Sequence, residues 1–311
     1  MRLGLDLSDG HARAVVVNDD GQVLARGAQA MAGAVTGAAA TAAVRTALEG
    51  ASAPVTSAAI ALAQPQDGLA REIEQPVRGL LPGLSVPTLV SAGIAAVVAE
   101  QWCGAARGLA NVVALSAGEH VTSGIILDGR VWPGAHGRAG SVGWLSLNPV
   151  EREDYRRLGG LEAEISAGGI VRRIVWRIKS GEGSTIVQQH QGDLTRITVD
   201  QVFQWARTGD GLCVSVIRDT AKYLGMAVSN LAAILDPEAI VLGGLIPASG
   251  DLLLESIRME CQRRLSPAQA ERLRIVLSPL GVDAAAIGAA RLARLPACSS
   301  SPAGISSWPT A

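Results

Sequence analysis

The stretch LSAGEHVTSGIILDGR, Leu115–Arg130, carries the pattern that decides the fold. An apolar strand runs into a turn that contains Gly118, and a second apolar, β-branched strand follows the turn. A glycine-bearing turn of this kind is typical of a loop that offers backbone N–H groups to an anion. Here, however, the turn carries the side chains of Glu119 and His120 at its crest. The stretch is therefore either an active phosphate cradle or the remains of one.

The same order of elements occurs at the beginning of the chain. Leu3–Leu7 and Ala12–Val17 are predicted strands, and the turn NDDG at Asn18–Gly21 leads into a third strand, QVLARG. The second meander of three strands begins at Asn111. Two similar halves predict an α/β protein that arose by duplication.

Helices and further strands follow each meander. Apolar spacing predicts these elements, in chain order: a helix over 33–50, a strand over Ser57–Ala63, a strand VPTLV, a helix over Ala92–Trp102, a helix over Leu212–Leu235, a strand in DPEAIVLGGLI, a helix over Leu252–Leu265, a strand RIVLSPL and a helix over Asp283–Leu295. The residues from Pro296 onward have the composition of a disordered tail.

Composition limits the class of protein. The 311 residues suffice for two domains, and the net charge of −1, with acids and bases interspersed, argues against a nucleic-acid partner. No secretory signal and no apolar run of membrane-spanning length is recognised, so we expect a cytoplasmic protein. Four widely separated cysteines fit neither a disulfide framework nor a zinc site: Cys103, Cys213, Cys261 and Cys298.

Several motifs, in this order, resemble the ROK family of repressors, uncharacterised reading frames and sugar kinases. The motifs are AEQWCGAARGLANVV, IILDGR, GRAGSVGWLSL, GLEAEISAGGIVRR, YLGMAVSNLAAILDPEAIVLGGLIPASGDLLL and DAAAIGAARLA. The resemblance implies a two-domain actin-like ATPase (ribonuclease H-like) fold, with duplicated mixed-sheet domains around a cleft. It divides the chain into a small domain 1–110, completed by the helix 283–295, a larger domain 111–282 and a tail 296–311. It also implies a homodimer.

Both phosphate loops depart from the family pattern. The first loop, D-x-G-G-T-K in the kinases, is Asp6, Leu7, Ser8, Asp9, Gly10 and His11. The second, G-T-G-I-G-G-G, is Gly118, Glu119, His120, Val121, Thr122, Ser123 and Gly124. Two carboxylates thus stand where phosphates would lie, and like charges at about 4 Å repel by roughly 4 kcal/mol at an effective dielectric of 20. Magnesium or a neighbouring basic group would reduce this repulsion.

The family's base and sugar-binding motifs also differ. The N-D pair, whose aspartate is the general base, falls on Ser91 and Ala92, and E-x-G-H falls on Ser141, Val142, Gly143 and Trp144. The cysteine-rich zinc motif corresponds to residues 153–160, which contain no thiol, so we expect no zinc. Asp6, Gly118 and Gly124 keep the family pattern in the phosphate loops. Outside these loops Glu162 keeps it at the sugar side, and Gly243 and Gly244 keep it at the adenosine side.

Each of these residues also has a purely structural interpretation. Asp6 binds a metal or satisfies a turn N–H. Glu119 and His120 form a solvated hairpin turn, which we favour, or a new metal or acid/base pair. Trp144 is a core residue, which we favour, or a ligand platform. Glu162 contacts sugar or stabilises a helix N-terminus, and the two glycines approach adenine or shape a strand-to-helix turn.

The leading hypothesis is a pseudo sugar kinase with a binding, sensing or scaffolding role and no cofactor. The alternative is an ATP-dependent hexose or amino-sugar kinase with a rearranged site, in which Asp6, Asp9 or Glu119 acts as the base and Mg-ATP is the cosubstrate. A transcriptional repressor is disfavoured because the family's repressors carry a helix-turn-helix ahead of the first strand, which begins here at residue 3.

Overall fold

Two five-stranded sheets form the framework of the protein. The computed structural model describes residues 1–31, 35–63, 67–84 and 87–293, with only the backbone of 67–71. The strands are β1 Arg2–Asp6, β2 His11–Val17, β3 Val23–Ala30, β4 Ser57–Leu62, β5 Thr88–Ser91, β6 Val112–Ala117, β7 Val121–Leu127, β8 Arg130–Val131, β9 Ala239–Gly244 and β10 Arg274–Leu277. The predicted tail 296–311 and the end of the last predicted helix lie outside the described residues.

The two sheets repeat one topology. The first has the order β3-β2-β1-β4-β5 and the second the order β10-β9-β6-β7-β8. In each, a meander of three antiparallel strands supplies one side, and two further strands extend its first strand in parallel. The duplication predicted from the two meanders, and the mixed-sheet fold that the family resemblance implies, are therefore confirmed.

The helices connect and cover the sheets. They are α1 Gly37–Glu49, α2 Asp67–Gly79, α3 Ala92–Cys103, α4 Glu153–Leu158, α5 Gly160–Ile165, α6 Ala167–Lys179, α7 Thr185–Gln189, α8 Val199–Arg207, α9 Gly211–Leu235, α10 Gly250–Arg264, α11 Pro267–Arg272 and α12 Ala284–Leu292. The sequence did not predict α2, α4 to α8 or α11. Pro76 interrupts the helical pattern of α2, and most of the others are too short for a clear apolar period.

Alanine and glycine allow close packing between the sheets. Ala95 of α3 and Ala285 of α12 are buried in a cluster with β4 and β5 of the first sheet, and Ala96 and Ala284 in a cluster with β6, β7 and β9 of the second. A Cβ added to Gly93 would lie 2.2 Å from the carbonyl oxygen of Ser123, so the first turn of α3 lies directly on β7. This contact brings the N-terminal end of α3 to the junction of the two halves.

Helix α9 belongs mainly to the core of the second half. Its buried residues include Leu212, Val216, Leu224 and Val228, which pack with the second sheet and the helices around it. The sequence left open whether these apolar positions serve the core or a dimer interface, and the structure places them in the core. Among the described residues, no helix combines the length and apolarity needed to cross a bilayer. The domain boundary at residue 110 stays a prediction.

Candidate functional site

A small cleft lies where the two halves meet. The end of β1 and the turn after it form one wall, β6 and the turn after it form the other, and the starts of α3 and α12 close the floor. The space measures about 40 Å³, which accommodates about three water molecules. Its lining residues are Asp6, Ser8, Asp9, Arg13, Ala92, Ala96, Ser116, Gly118, His120, Thr122, Gly244, Gly281, Val282, Ala284 and Ala285.

Asp6 is a buried carboxylate in the wall of the cleft. It is the last residue of β1, only 3 % exposed, and its Oδ1 accepts a hydrogen bond of 2.9 Å from the Ser8 N–H. Burial raises the pKa of Asp6 to about 6, although the Ser8 hydrogen bonds and the charge of Arg13 act in the opposite direction. The structural role expected for Asp6, satisfying a turn N–H, is confirmed, and its carboxyl group titrates close to neutral pH.

Asp9 connects the two walls of the cleft. Its Oδ1 accepts the backbone N–H of Glu119 at 2.8 Å, and its Oδ2 lies 3.7 Å from Nη1 of Arg13. The Glu119 side chain lies over Gly10, where an added Cβ would be 3.5 Å from Oε1. The basic group that would reduce repulsion at the first phosphate loop is thus present in the cleft as Arg13.

Glu162 contacts the same turn from the other side. Its Oε2 accepts the Val121 N–H at 3.1 Å, and its Oε1 lies 3.1 Å from Nδ1 of His120. This hydrogen bond raises the pKa of His120, with further contributions from the charges of Glu119 and Asp9. Residues 118–121, which we call the hairpin turn, are therefore held between two carboxylates. Glu119 and His120 are both exposed, as expected for a solvated turn, but His120 pairs with Glu162 rather than with Glu119.

The start of α3 presents a methyl group to the cleft. Ala92 is 1 % exposed and lines the cavity, and Ser91 is the last residue of β5 and the N-cap of α3, although its hydroxyl makes no capping hydrogen bond. This is the position to which the family resemblance assigns a general base. Ala92 has no group that accepts a proton.

The segment around Trp144 differs from the prediction. Trp144 is 52 % exposed, so its interpretation as a core residue is wrong. The short 3₁₀ turn Val142–Trp144 buries Val142 and Gly143 instead, and a Cβ on Gly143 would lie 3.0 Å from Oε2 of Glu162. Because Gly143 packs under Glu162, the indole is turned outward. Ser141 is exposed, and its hydroxyl donates to the Arg138 carbonyl at 2.7 Å.

Packing accounts for both glycines at the end of β9. Gly244 has φ +71°, and an added Cβ would lie 2.1 Å from the carbonyl oxygen of Ala117. A Cβ on Gly243 would lie 2.6 Å from Oγ of Ser116. The positive φ and the close pairing of β9 with β6 therefore require glycine at 244, whereas at 243 the nearest contact is with the Ser116 side chain.

The donor set near α4 does not fit a structural zinc ion. Residues 141–160 contain neither cysteine nor histidine, and no group of three potential ligands occurs within the described parts of the chain. Polar contacts hold this region instead. The Tyr155 hydroxyl donates to the buried Glu164, which also lies 3.4 Å from Nε of Arg173. Burial of the Arg173 guanidinium lowers its pKa. The absence of zinc stays a prediction.

Comparison with known proteins decides the family. The sequence model described as "ROK family" matches residues 77–295, well over half of the chain. The chain belongs to the ROK family. A glucokinase of Halalkalibacterium halodurans is 32 % identical over 207 residues, which are 65 % of this chain and 62 % of that enzyme. A xylose repressor of Caldicellulosiruptor bescii is 29 % identical over 62 % of this chain and 48 % of the repressor. The matched part of this ROK protein thus spans about half to three fifths of these relatives.

Solved ROK structures share the fold along almost the whole chain. A ROK glucokinase from Streptomyces griseus, in complex with glucose and AMPPNP, has a TM-score of 0.79 at 24 % identity, covering 94 % of this chain and 99 % of that one. A ROK transcriptional regulator, a homologue of the E. coli MLC protein, has a TM-score of 0.73 at 25 % identity, covering 93 % and 76 %. The two mixed-sheet domains are thus those of the ROK glucokinase fold.

The ROK structure brings most of the predicted site residues together. Asp6, Ser8, Asp9, Ala92, Gly118, His120, Thr122 and Gly244 line the cleft. Glu119 and Glu162 contact its edge through Asp9 and His120. Sequence reasoning missed Arg13, which stands opposite Asp6 in the β1–β2 pair. The signal that could have found it is a basic residue within the otherwise apolar run ARAVVV of β2.

Proposed function

We propose that this ROK protein binds a ligand in its interdomain cleft and does not transfer phosphate, so that it serves in binding, sensing or scaffolding. The observation that carries the proposal is the buried methyl group of Ala92 at the start of α3, where the family resemblance assigns the base. A positioned general base contributes roughly a hundred- to ten-thousandfold to a reaction rate. Without it, a sugar hydroxyl would react slowly even in a well-aligned complex.

The hairpin turn supports the same proposal. Phosphate groups bind to loops whose backbone N–H groups are free. Here the Glu119 N–H donates to Asp9, and the Val121 N–H donates to Glu162. A triphosphate would have to displace both carboxylates and overcome their negative charge. No cofactor and no zinc are part of the proposal, and the net charge of −1 gives no reason to include a nucleic-acid partner.

The experiment combines turnover with binding. The unmodified protein is incubated with Mg-ATP and a panel of hexoses and amino sugars in a coupled assay, and the same sugars are titrated calorimetrically. The proposal expects no sugar phosphate above the background of a blank without protein. Sugar phosphorylation at ordinary kinase rates would refute it.

A second candidate, an ATP-dependent hexose or amino-sugar kinase with a rearranged site, is favoured by one observation. Asp6 lines the cleft, and its pKa, raised to about 6, suits a general base at neutral pH. Under this alternative, turnover would rise with pH through about 6 and would be lost in Asp6→Asn. Asp9 serves less well as a base because its carboxylate already accepts the Glu119 N–H.

We also propose a cytoplasmic homodimer. Three described cysteines, Cys103, Cys213 and Cys261, are free thiols, which suits a reducing compartment. The dimer follows from the family resemblance alone, and sedimentation velocity at micromolar protein tests it. A single monomeric species would refute the dimer.

A further inference from the structure

The two turns that face each other across the cleft are equivalent parts of the duplicated fold. One connects β1 to β2 and contains Asp9, and the other is the hairpin turn between β6 and β7. Strands β1 and β6 occupy the same central place in their sheets, and each pairs with an antiparallel neighbour through its turn. The Asp9–Glu119 hydrogen bond is therefore a contact between the two halves of the molecule, at the mouth of the cleft.

The chemistry of this contact is that of anion recognition. A backbone N–H at the crest of a turn donates to a carboxylate oxygen at 2.8 Å, the geometry that such a turn offers to an external anion. Arg13, whose side chain is 15 % exposed, lies 3.7 Å from the other carboxylate oxygen and provides the positive charge beside it. Asp9 thus has the two partners, an amide and a guanidinium, that a small oxyanion would require.

Gly118 leaves room for this approach. A Cβ at residue 118 would lie 2.8 Å from Oδ1 of Asp9 and 3.3 Å from Oδ2. Its three nearest neighbours all belong to the Asp9 side chain. The backbone of Gly118 is not in the left-handed region, so its lack of a side chain is not required by conformation. The glycine accommodates the carboxylate.

We propose that Asp9 is an intramolecular substitute for an anion: it occupies the anion site of the hairpin turn and clasps the two halves of the protein together. An external polyphosphate anion binds the turn only when this clasp opens. The contact is therefore autoinhibitory toward anions and stabilises the closed cleft. This inference rests on the proposed function and deepens it, because it names the contact that regulates access of anions to the turn.

Amide hydrogen exchange of Glu119, followed by NMR, tests the clasp, with inorganic pyrophosphate as the probe. In Asp9→Ala, exchange is expected to accelerate about tenfold or more, as for the loss of a hydrogen bond to a charged acceptor. Millimolar pyrophosphate is expected to restore protection in this variant and to leave the unmodified protein unchanged. An exchange rate in Asp9→Ala equal to that of the unmodified protein, or no protection by pyrophosphate, would overturn the proposal.

Two further variants separate sterics from charge. Gly118→Ala pushes the Asp9 carboxylate away but keeps its charge, so Glu119 exchange should accelerate without protection by pyrophosphate. Asp9→Asn keeps an acceptor oxygen without the charge, so its Glu119 exchange rate should lie between those of Asp9→Ala and the unmodified protein. These variants provide the test if Asp9→Ala does not fold. Slow Glu119 exchange in Gly118→Ala would contradict the clasp.

The matched control is Asp20→Ala, which removes the same charge from an exposed turn. Its Glu119 exchange and pyrophosphate response should equal those of the unmodified protein, and a change as large as in Asp9→Ala would refute a specific role of Asp9. Sugar phosphorylation by the unmodified protein would refute the proposed function and would also contradict the autoinhibitory role of the clasp, because the turn would then accept a triphosphate. Unchanged Glu119 exchange in Asp9→Ala would refute the clasp alone and leave the proposed function, which is carried by Ala92, in place.

Discussion

The carboxylate of Asp9 and the backbone N–H of Glu119, 110 positions apart in the chain, share a hydrogen bond of 2.8 Å. The sequence predicted that both residues bring negative charge to the place of a phosphate group. In the folded protein Asp9 also accepts a hydrogen bond from a backbone N–H of the opposite turn. Glu162 does the same at Val121, and the hairpin turn is held between two carboxylates.

The buried carboxylate of Asp6 should make stability depend on pH. Its pKa rises from 3.8 to about 6 on folding, which corresponds to about 3 kcal/mol. The folded state binds the Asp6 proton more tightly than the unfolded state does. Protonation of Asp6 therefore contributes its full stabilisation of the fold below about pH 4, and this contribution is lost as the pH rises through about 6. We expect Asp6→Asn to increase the free energy of unfolding by about 1–3 kcal/mol at pH 7.5 and by much less at pH 4.

Urea denaturation at the two pH values measures this effect. Asp20→Asn, at an exposed position, is the control and should change stability at neither pH. Equal effects of Asp6→Asn at pH 4 and pH 7.5 would show that Asp6 is not a buried, protonatable group.

The pairing of His120 with Glu162 should be visible in the titration of the imidazole. The hydrogen bond from Glu162 raises the pKa of His120, so Glu162→Gln should lower it toward the ordinary histidine value. A raised histidine pKa stabilises the fold at low pH, and this contribution disappears as the pH rises through the folded-state pKa. NMR titration of the ring protons measures the shift. A His120 pKa that is unchanged in Glu162→Gln would contradict the pairing.

Restoring a carboxylate at the start of α3 should not restore catalysis. Ala92→Asp supplies the group that the resemblance assigns to a base, but Asp9 and Glu162 still occupy the N–H groups of the hairpin turn. We expect no sugar phosphate from Mg-ATP and hexoses in a coupled assay, with circular dichroism to establish that the variant folds. Turnover by this single variant would mean that the turn still accepts a triphosphate.

Exposure of Trp144 predicts a small effect on stability. Because its side chain is 52 % exposed, Trp144→Ala should lower the free energy of unfolding by only about 1 kcal/mol. Leu161, which is fully buried in the same region, is the comparison, and Leu161→Ala should cost about 2–5 kcal/mol. Thermal denaturation distinguishes the two variants. A comparable loss in both would mean that the indole packs in the core.

Much of the fold could be predicted because the strands are apolar and β-branched and the turns carry their own signals. The repeated meander at Leu3 and Asn111 indicated the duplication directly. Helix α2 escaped prediction because it contains Pro76, a residue that usually ends or interrupts a helix. Short helices such as α4 owe their stability to tertiary contacts, here that of Tyr155 with Glu164. Such contacts cannot be predicted from the local sequence.

The residues of the site could be predicted, but their partners could not. The motifs identified Asp9, Glu119 and Glu162 individually. That Asp9 reaches across to Glu119, or that Glu162 pairs with His120, depends on how the two halves meet. The sequence predicted a core position for Trp144 because a large apolar side chain is usually buried. In the structure the neighbouring Gly143 packs against Glu162 instead, and the indole faces outward.

The most direct test of the central claim is calorimetric titration of the unmodified protein with Mg-ATP. If the side chains of the protein itself occupy the phosphate site, no saturable heat should appear up to millimolar nucleotide, with or without hexose present. Micromolar, magnesium-dependent binding of ATP would show that the site is open to a triphosphate and would contradict the account.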